Sequence, residues 1–167
     1  MTNLLKDLRL TISISFFLAF LFIVLMIFYG DFQGFSAFWG WLIRLLHVLS
    51  GIIWVGLLFY FNFVQIPNMG KIPDEQKPAI RDIIAPAALF WFRWSAMATI
   101  VFGILLAINQ GYIIDAIILS DTHWVIGIGM YLGVIMFLNV WLIIWPNQKK
   151  ALGLVKVEEN QKIESAK

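Results

Sequence analysis

The chain has 167 residues, of which 61% are apolar and 13% charged, and its formal net charge is +2. Soluble domains carry ~45–50% apolar and ~25% charged residues, so a soluble fold of this length has too little interior for eight Trp, fifteen Phe and the aliphatic residues beside them. The absence of Cys excludes disulfides, thiolate metal sites, iron–sulfur clusters and covalent c-type haem attachment, no zinc or phosphate-loop spacing occurs, and no nucleic-acid partner is expected.

Crossing ~30 Å of hydrocarbon takes ~20 helical residues. Four stretches reach that length, at about 10–29, 39–66, 86–108 and 122–145. They predict an all-α integral membrane protein in which residues 1–153 form one four-transmembrane-helix bundle and 154–167 a polar cytoplasmic tail, expected to be disordered. Leu10 to Tyr29 is too long for a signal-peptide core and no A-x-A site follows it, so it is read as a retained span. Pro67 and Pro73 are expected to end the second span, because proline cannot continue the hydrogen-bond ladder. Pro86 suits the first turn of the third span, and Asn109-Gln110-Gly111 ends it. Tyr112 to Leu119 is apolar but too short to cross, so it lies at the interface or folds back onto the bundle. Ser120 or Asp121 is expected to cap the fourth span and Pro146 to stop it.

The basic residues set an orientation. Lys6 and Arg9 precede the first span, Lys71, Lys77 and Arg81 lie between the second and third, and Lys149, Lys150, Lys156, Lys162 and Lys167 follow the fourth. The other two connections hold Asp31, Asp115 and Asp121 and no Lys or Arg. By the positive-inside rule both termini are cytoplasmic, and the expected location is a bacterial inner membrane.

Arg44 and Arg93 fall inside spans, where a charge costs roughly 2.5 kcal/mol or more and marks a candidate functional site. Arg44, His47, Gly51, Trp54 and Leu58 recur at spacings of three and four and share one helical face. A cation, an imidazole, a gap and an aromatic ring suit a flat, anionic, metal-bearing molecule. Haem b is one, with His47 on iron, Arg44 on a propionate and Gly51 leaving room for the ring. The plainer alternative is an imidazole hydrogen-bonded to a neighbouring carbonyl, or an Arg44 that snorkels to the surface. His123 is a second candidate iron ligand, but it starts the fourth span while His47 is about two turns inside the second. It is also read as a propionate partner, a cap or a docking residue. Ser50 and Asn109 can add hydrogen bonds in this layer. A second polar layer holds Arg93, Asn62, Gln65 and Asn139 at matching depths. It is either a clamp joining three helices or an anionic substrate site formed by Arg93, Asn139 and Asn62. Gly129 and Gly133 form a G-x-x-x-G pair that allows close helix approach, and Gly127 is a candidate for the haem face.

Residues 41–67, WLIRLLHVLSGIIWVGLLFYFNFVQIP, resemble the first helical hairpin of the membrane-bound urate oxidase N-terminal family in their Arg-x-x-His, G-x-x-W-x-G and aromatic-rich end. Residues 122–153, THWVIGIGMYLGVIMFLNVWLIIWPNQKKALG, resemble the closing segment of that family, the NVW…WPNQKK part most specifically. The first stretch is also similar to protoporphyrinogen oxidase-like and copper-resistance membrane proteins. The resemblance implies a redox membrane protein, with Arg44, His47, His123, Asn139, Trp141 and Asn147 as the positions carried over. Full-length members are proposed to oxidise urate and pass electrons to a fused c-type cytochrome domain. This chain is shorter and has no CxxCH. The implied role is therefore haem b binding and electron transfer with a separate c-type cytochrome or other redox partner. Two alternatives stand beside it: an enzyme oxidising urate or a related anionic heterocycle, and a non-catalytic membrane subunit of a homo-oligomer or larger complex.

Overall fold

The computed structural model describes residues 6–29, 35–151 and 155, so the 154–167 tail lies almost wholly outside the described residues. The described chain is all helix, with no strand. The elements are α1 (Leu8–Tyr29), α2 (Phe35–Phe59), α3 (Ile66–Met69), α4 (Lys77–Ala79), α5 (Ala85–Asn109), α6 (Ile113–Ile117), α7 (Trp124–Leu138) and α8 (Trp145–Ala151). Four helical stretches are long and apolar enough to cross a membrane: Leu8–Tyr29, Ala37–Met69, Lys77–Asn109 and Trp124–Ala151. This is the composition and length of an integral membrane protein.

Three of these stretches outrun the ends expected from their prolines, and the cause is local. The ladder widens into π-helical turns at Tyr60–Gln65, Ile80–Ile84 and Asn139–Ile144. Each lies just before a proline: Pro67, Pro86 and Pro146. A proline in an α-helix removes the bond to the carbonyl four residues back and its ring clashes with that carbonyl. Those carbonyls belong to Phe63, Asp82 and Leu142, all inside the widened turns. The extra residue per turn shifts the ladder before the proline arrives, so the helix continues through Pro67 and Pro146 rather than stopping at them.

The chain forms two compact units, Met1–Trp41 and Leu42–Lys167. In the first, Asp7 Oδ1 accepts the free N–H groups of Arg9 and Leu10 at 3.0 and 3.2 Å and so starts α1. No residue of α1 is buried. In the second, α2 from Leu42 onward, α5 and α7 pack together, and the core is Trp54, Phe92, Ala96 and Val140, the last from the π-helical turn that continues α7. Phe61 meets Phe92 edge-on at 5.7 Å, and Trp94 meets Trp141 at 5.9 Å. In lipid such helices associate by close packing rather than by hydrophobic burial. Ser95, Thr99 and Gly103 repeat every fourth residue along α5, and that small-residue stripe receives α2. Gly51 faces the Thr99 side chain there, since a Cβ on it would lie 3.8 Å from Thr99 Cγ2.

The α5–α6 connection folds back onto α7, the second of the two expected outcomes. Gly111, at φ +78°, ends α5. Its N–H bonds to the Ile108 carbonyl and that of Tyr112 to the Ala107 carbonyl, a Schellman closure. Leu119 closes α6 in the same way at φ 54°, a left-handed conformation unusual for a residue with a branched side chain. The contact that holds it is Gly127. A Cβ there would lie 2.6 Å from Leu119 Cδ2 and inside the Ala116 carbonyl oxygen. Tyr131 adds a hydrogen bond from its hydroxyl to the Ile117 carbonyl at 2.7 Å. Gly127 thus seats α6 and does not line the cavity described below. The helix α7 starts at Trp124 with no side-chain cap, so Ser120 and Asp121 do not serve that role.

Candidate functional site

A cleft of about 370 Å³ lies between α2, α5 and α7. His47 and Trp54 line it from α2, Thr99 and Gly103 from α5, and Gly129, Met130 and Gly133 from α7. Tyr112 lies at one end. The volume falls within the ~300–1,000 Å³ of small-molecule and cofactor sites, and the walls are mostly apolar.

The His47 ring is fixed by α5. Its Nδ1 lies 2.9 Å from the Thr99 carbonyl oxygen. A carbonyl only accepts, so Nδ1 carries the proton, and in the neutral ring Nε2 keeps its lone pair. The Cε1–Nδ1 edge of the ring lies against Gly103, where a Cβ would come within 3.0 Å of Cε1 and 3.1 Å of Nδ1. Any larger residue there must displace the imidazole. Thr99 in turn bonds its own hydroxyl to the Ser95 carbonyl at 2.7 Å, which keeps that side chain away from the imidazole. Nδ1–H on a backbone carbonyl with Nε2 free is the arrangement by which proteins orient a metal-binding histidine. The carbonyl contact expected as the plainer alternative is therefore present, and Nε2 has no partner among the described residues.

Trp54 is 4% exposed, and its Nε1 has no hydrogen-bond partner among the described residues. A buried unpaired donor of this kind costs ~1–3 kcal/mol unless something accepts from it. The G-x-x-x-G pair does not make a tight helix crossing. A Cβ on Gly129 would meet nothing within 4 Å, and one on Gly133 only Ile100 Cδ1 at 3.7 Å. These two glycines leave space on the α7 wall of the cleft instead.

The remaining expected site residues lie elsewhere. Arg44 is exposed on α2 and does not line the cleft. Ser50 is buried but bonds to the carbonyls of Leu46 and His47 in its own helix. His123 is not in the cleft lining: its ring stacks on Tyr112 at 5.4 Å, its Nδ1 lies 2.8 Å from Thr122 Oγ1, and Asp115 Oδ2 is 3.8 Å away. Among the described residues no group of three or more His, Cys, Asp or Glu side chains could hold a metal ion. Met130, on the opposite wall, supplies a thioether.

The second polar layer is dispersed. The Asn62 amide donates to the Leu58 carbonyl at 2.8 Å and Asn139 is exposed on the π-helical turn. Arg93 sits on the face of Trp145, 3.3 Å from the ring centroid, rather than on either amide. Asn62 and Gln65 line one cavity of about 250 Å³, and Asn139 with Trp54 another of about 190 Å³. Thr99, Gly103, Met130 and Tyr112 were not legible as site residues. The available signal was the small-residue stripe of α5, which marks where a neighbouring helix comes close.

No protein-family model, curated protein or solved structure matches the chain.

Proposed function

We propose that this chain is a b-type haem-binding membrane protein in electron transfer, with His47 as its ligand to iron. The observation that carries this reading is the His47 ring, held by Nδ1 on the Thr99 carbonyl and pressed on Gly103 at the wall of a 370 Å³ apolar cleft. The residues present suit the group. Nε2 is a neutral nitrogen donor, and Gly129 and Gly133 leave room for a flat ring. Trp54 Nε1 is a buried donor in want of an acceptor such as a carboxylate. Arg44, a turn from His47 and exposed, supplies a cation for an acid arm that reaches out of the cleft. Haem would supply one-electron chemistry. The chain's own part is to fix the imidazole tautomer and exclude water with apolar walls, which together set the potential. Met130 is the cleft residue able to give a second, soft ligand, whereas His123 is engaged by Tyr112 and Thr122.

The placement of Lys and Arg supports both termini being cytoplasmic in a bacterial inner membrane. The resemblance to the urate oxidase N-terminal family favours a c-type cytochrome as electron partner, and makes urate the first substrate to try. The test is spectroscopic. Protein purified after haem-replete expression is expected to show a Soret band that His47→Ala removes. A colourless wild-type protein contradicts the reading, and turnover of urate with an added cytochrome would extend it to catalysis.

A further inference from the structure

At the end of the helices away from Tyr112, two cations converge on one indole. The Arg93 guanidinium carbon lies 3.3 Å from the Trp145 ring centroid, and Lys149 Nζ, one turn along α8, lies 5.5 Å from the same centroid. Stacking occupies the face of the guanidinium but leaves the donors along its edge unused. The ion pairs among the described residues join Asp74 to Lys77, Asp82 to Arg81 and Asp115 to His123. None reaches Arg93 or Lys149, and neither has a hydrogen-bond acceptor among the described residues.

We propose that Arg93 and Lys149, held together by Trp145, bind the phosphate of an anionic phospholipid headgroup. A guanidinium whose edge is free is preorganised for bidentate contact with phosphate oxygens, and an ammonium adds a point charge without a geometric demand. The indole is the side chain that settles at headgroup depth, where such a phosphate lies. Arg93 is only partly buried, so a headgroup can reach it. Trp94, next to Arg93 in the chain, and Leu142 and Ile143, within three residues of Trp145, are 51%, 68% and 56% exposed. That apolar surface suits the acyl chains of a lipid and offers nothing to a free phosphate ion. The site needs no cofactor and is separate from the His47 cleft.

The full-length protein, stripped into zwitterionic detergent, is titrated with phosphatidylglycerol, phosphatidylcholine or inorganic phosphate and read by native mass spectrometry. Phosphatidylglycerol adducts are expected at concentrations about tenfold below those needed for phosphatidylcholine. Arg93→Gln and Lys149→Gln are each expected to weaken them about fivefold, and Arg93→Lys less than Arg93→Gln. Inorganic phosphate is expected not to displace the lipid. Equal retention of the two lipids, or unchanged retention in Lys149→Gln at an unaltered melting temperature, overturns the proposal. Displacement by equimolar phosphate overturns the lipid as the source of the anion. Adduct masses are read equally well on protein without haem, so failure here and failure of the haem reading are separate outcomes.

Discussion

The His47 cleft and the Arg93–Trp145 contact handle a polar group inside an apolar span in opposite ways. His47 donates its Nδ1–H to a backbone carbonyl 2.9 Å away, and its ring lies against a glycine. Arg93 keeps its charge, rests on an indole at 3.3 Å, and has no oxygen acceptor among the described residues. One side chain is fixed by its neighbours and retains a lone pair for something else. The other is shielded on one face and still requires an anion. The difference follows from chemistry: imidazole can be neutral and oriented by one hydrogen bond, whereas a guanidinium stays protonated and can only be compensated.

Substitutions that break or sharpen this contrast fall in a clear order. His47→Ala has the largest expected effect, complete loss of the Soret band with the helical content kept, checked by absorption and circular dichroism together. Gly127→Ala comes next. The new methyl must push against the Ala116 backbone and Leu119, so a loss of roughly 1–3 kcal/mol is expected, seen as a lower melting temperature in detergent. This matters to the comparison because α6 precedes the turn that carries His123 and follows Tyr112, which lines the cleft. Gly103→Ala is the finer probe. The methyl displaces the imidazole by a few tenths of an ångström, and weakening an orienting contact of this type lowers metal affinity by about 10–100-fold. Haem titration of the apoprotein checks it, and Gly56→Ala, which meets no atom within 4 Å and lies outside the cleft lining, is the matched control. The smallest effect is expected at the exposed Asp74. Its carboxyl is held below the usual range by the hydrogen bond from Lys77 and by the charge of that lysine. A lowered carboxylate contributes above its unfolded pKa and loses that contribution as pH falls through the folded value. Asp74→Asn should therefore leave the melting temperature at pH 7 unchanged within error, with any small difference vanishing in acid.

Much of the fold was legible because span length and hydropathy are properties of a stretch, not of its neighbours. The four apolar runs, the break at Asn109-Gln110-Gly111 and the short apolar segment before Asp121 all follow from composition and turn chemistry. The misplaced helix ends share one cause. Pro67 and Pro146 read as stops because the rule assumes an unbroken α-ladder, and nothing in the residues before them announces a π-helical turn. At the cleft, His47 and Trp54 were legible from their common face of α2. The Thr99 carbonyl was not, because a backbone acceptor has no side-chain signature. The roles of the glycines were exchanged for a similar reason. Gly127 was expected beside a cofactor and instead seats α6, while Gly103, which holds the imidazole, stands out only once α2 is known to lie against α5. The depth mismatch between His47 and His123 was readable from helix position alone, and the structure gives His123 to Tyr112 and Thr122.

The proposed function turns on His47 Nε2 binding iron in the cleft between α2, α5 and α7. The most direct measurement is the reduced-minus-oxidised absorption spectrum of the protein purified from haem-supplemented cells, with haem counted per chain as the pyridine adduct. A b-type spectrum is expected, bleached in His47→Ala and kept in His123→Ala. A spectrum that survives His47→Ala, or a wild-type protein with no haem at all, would contradict it.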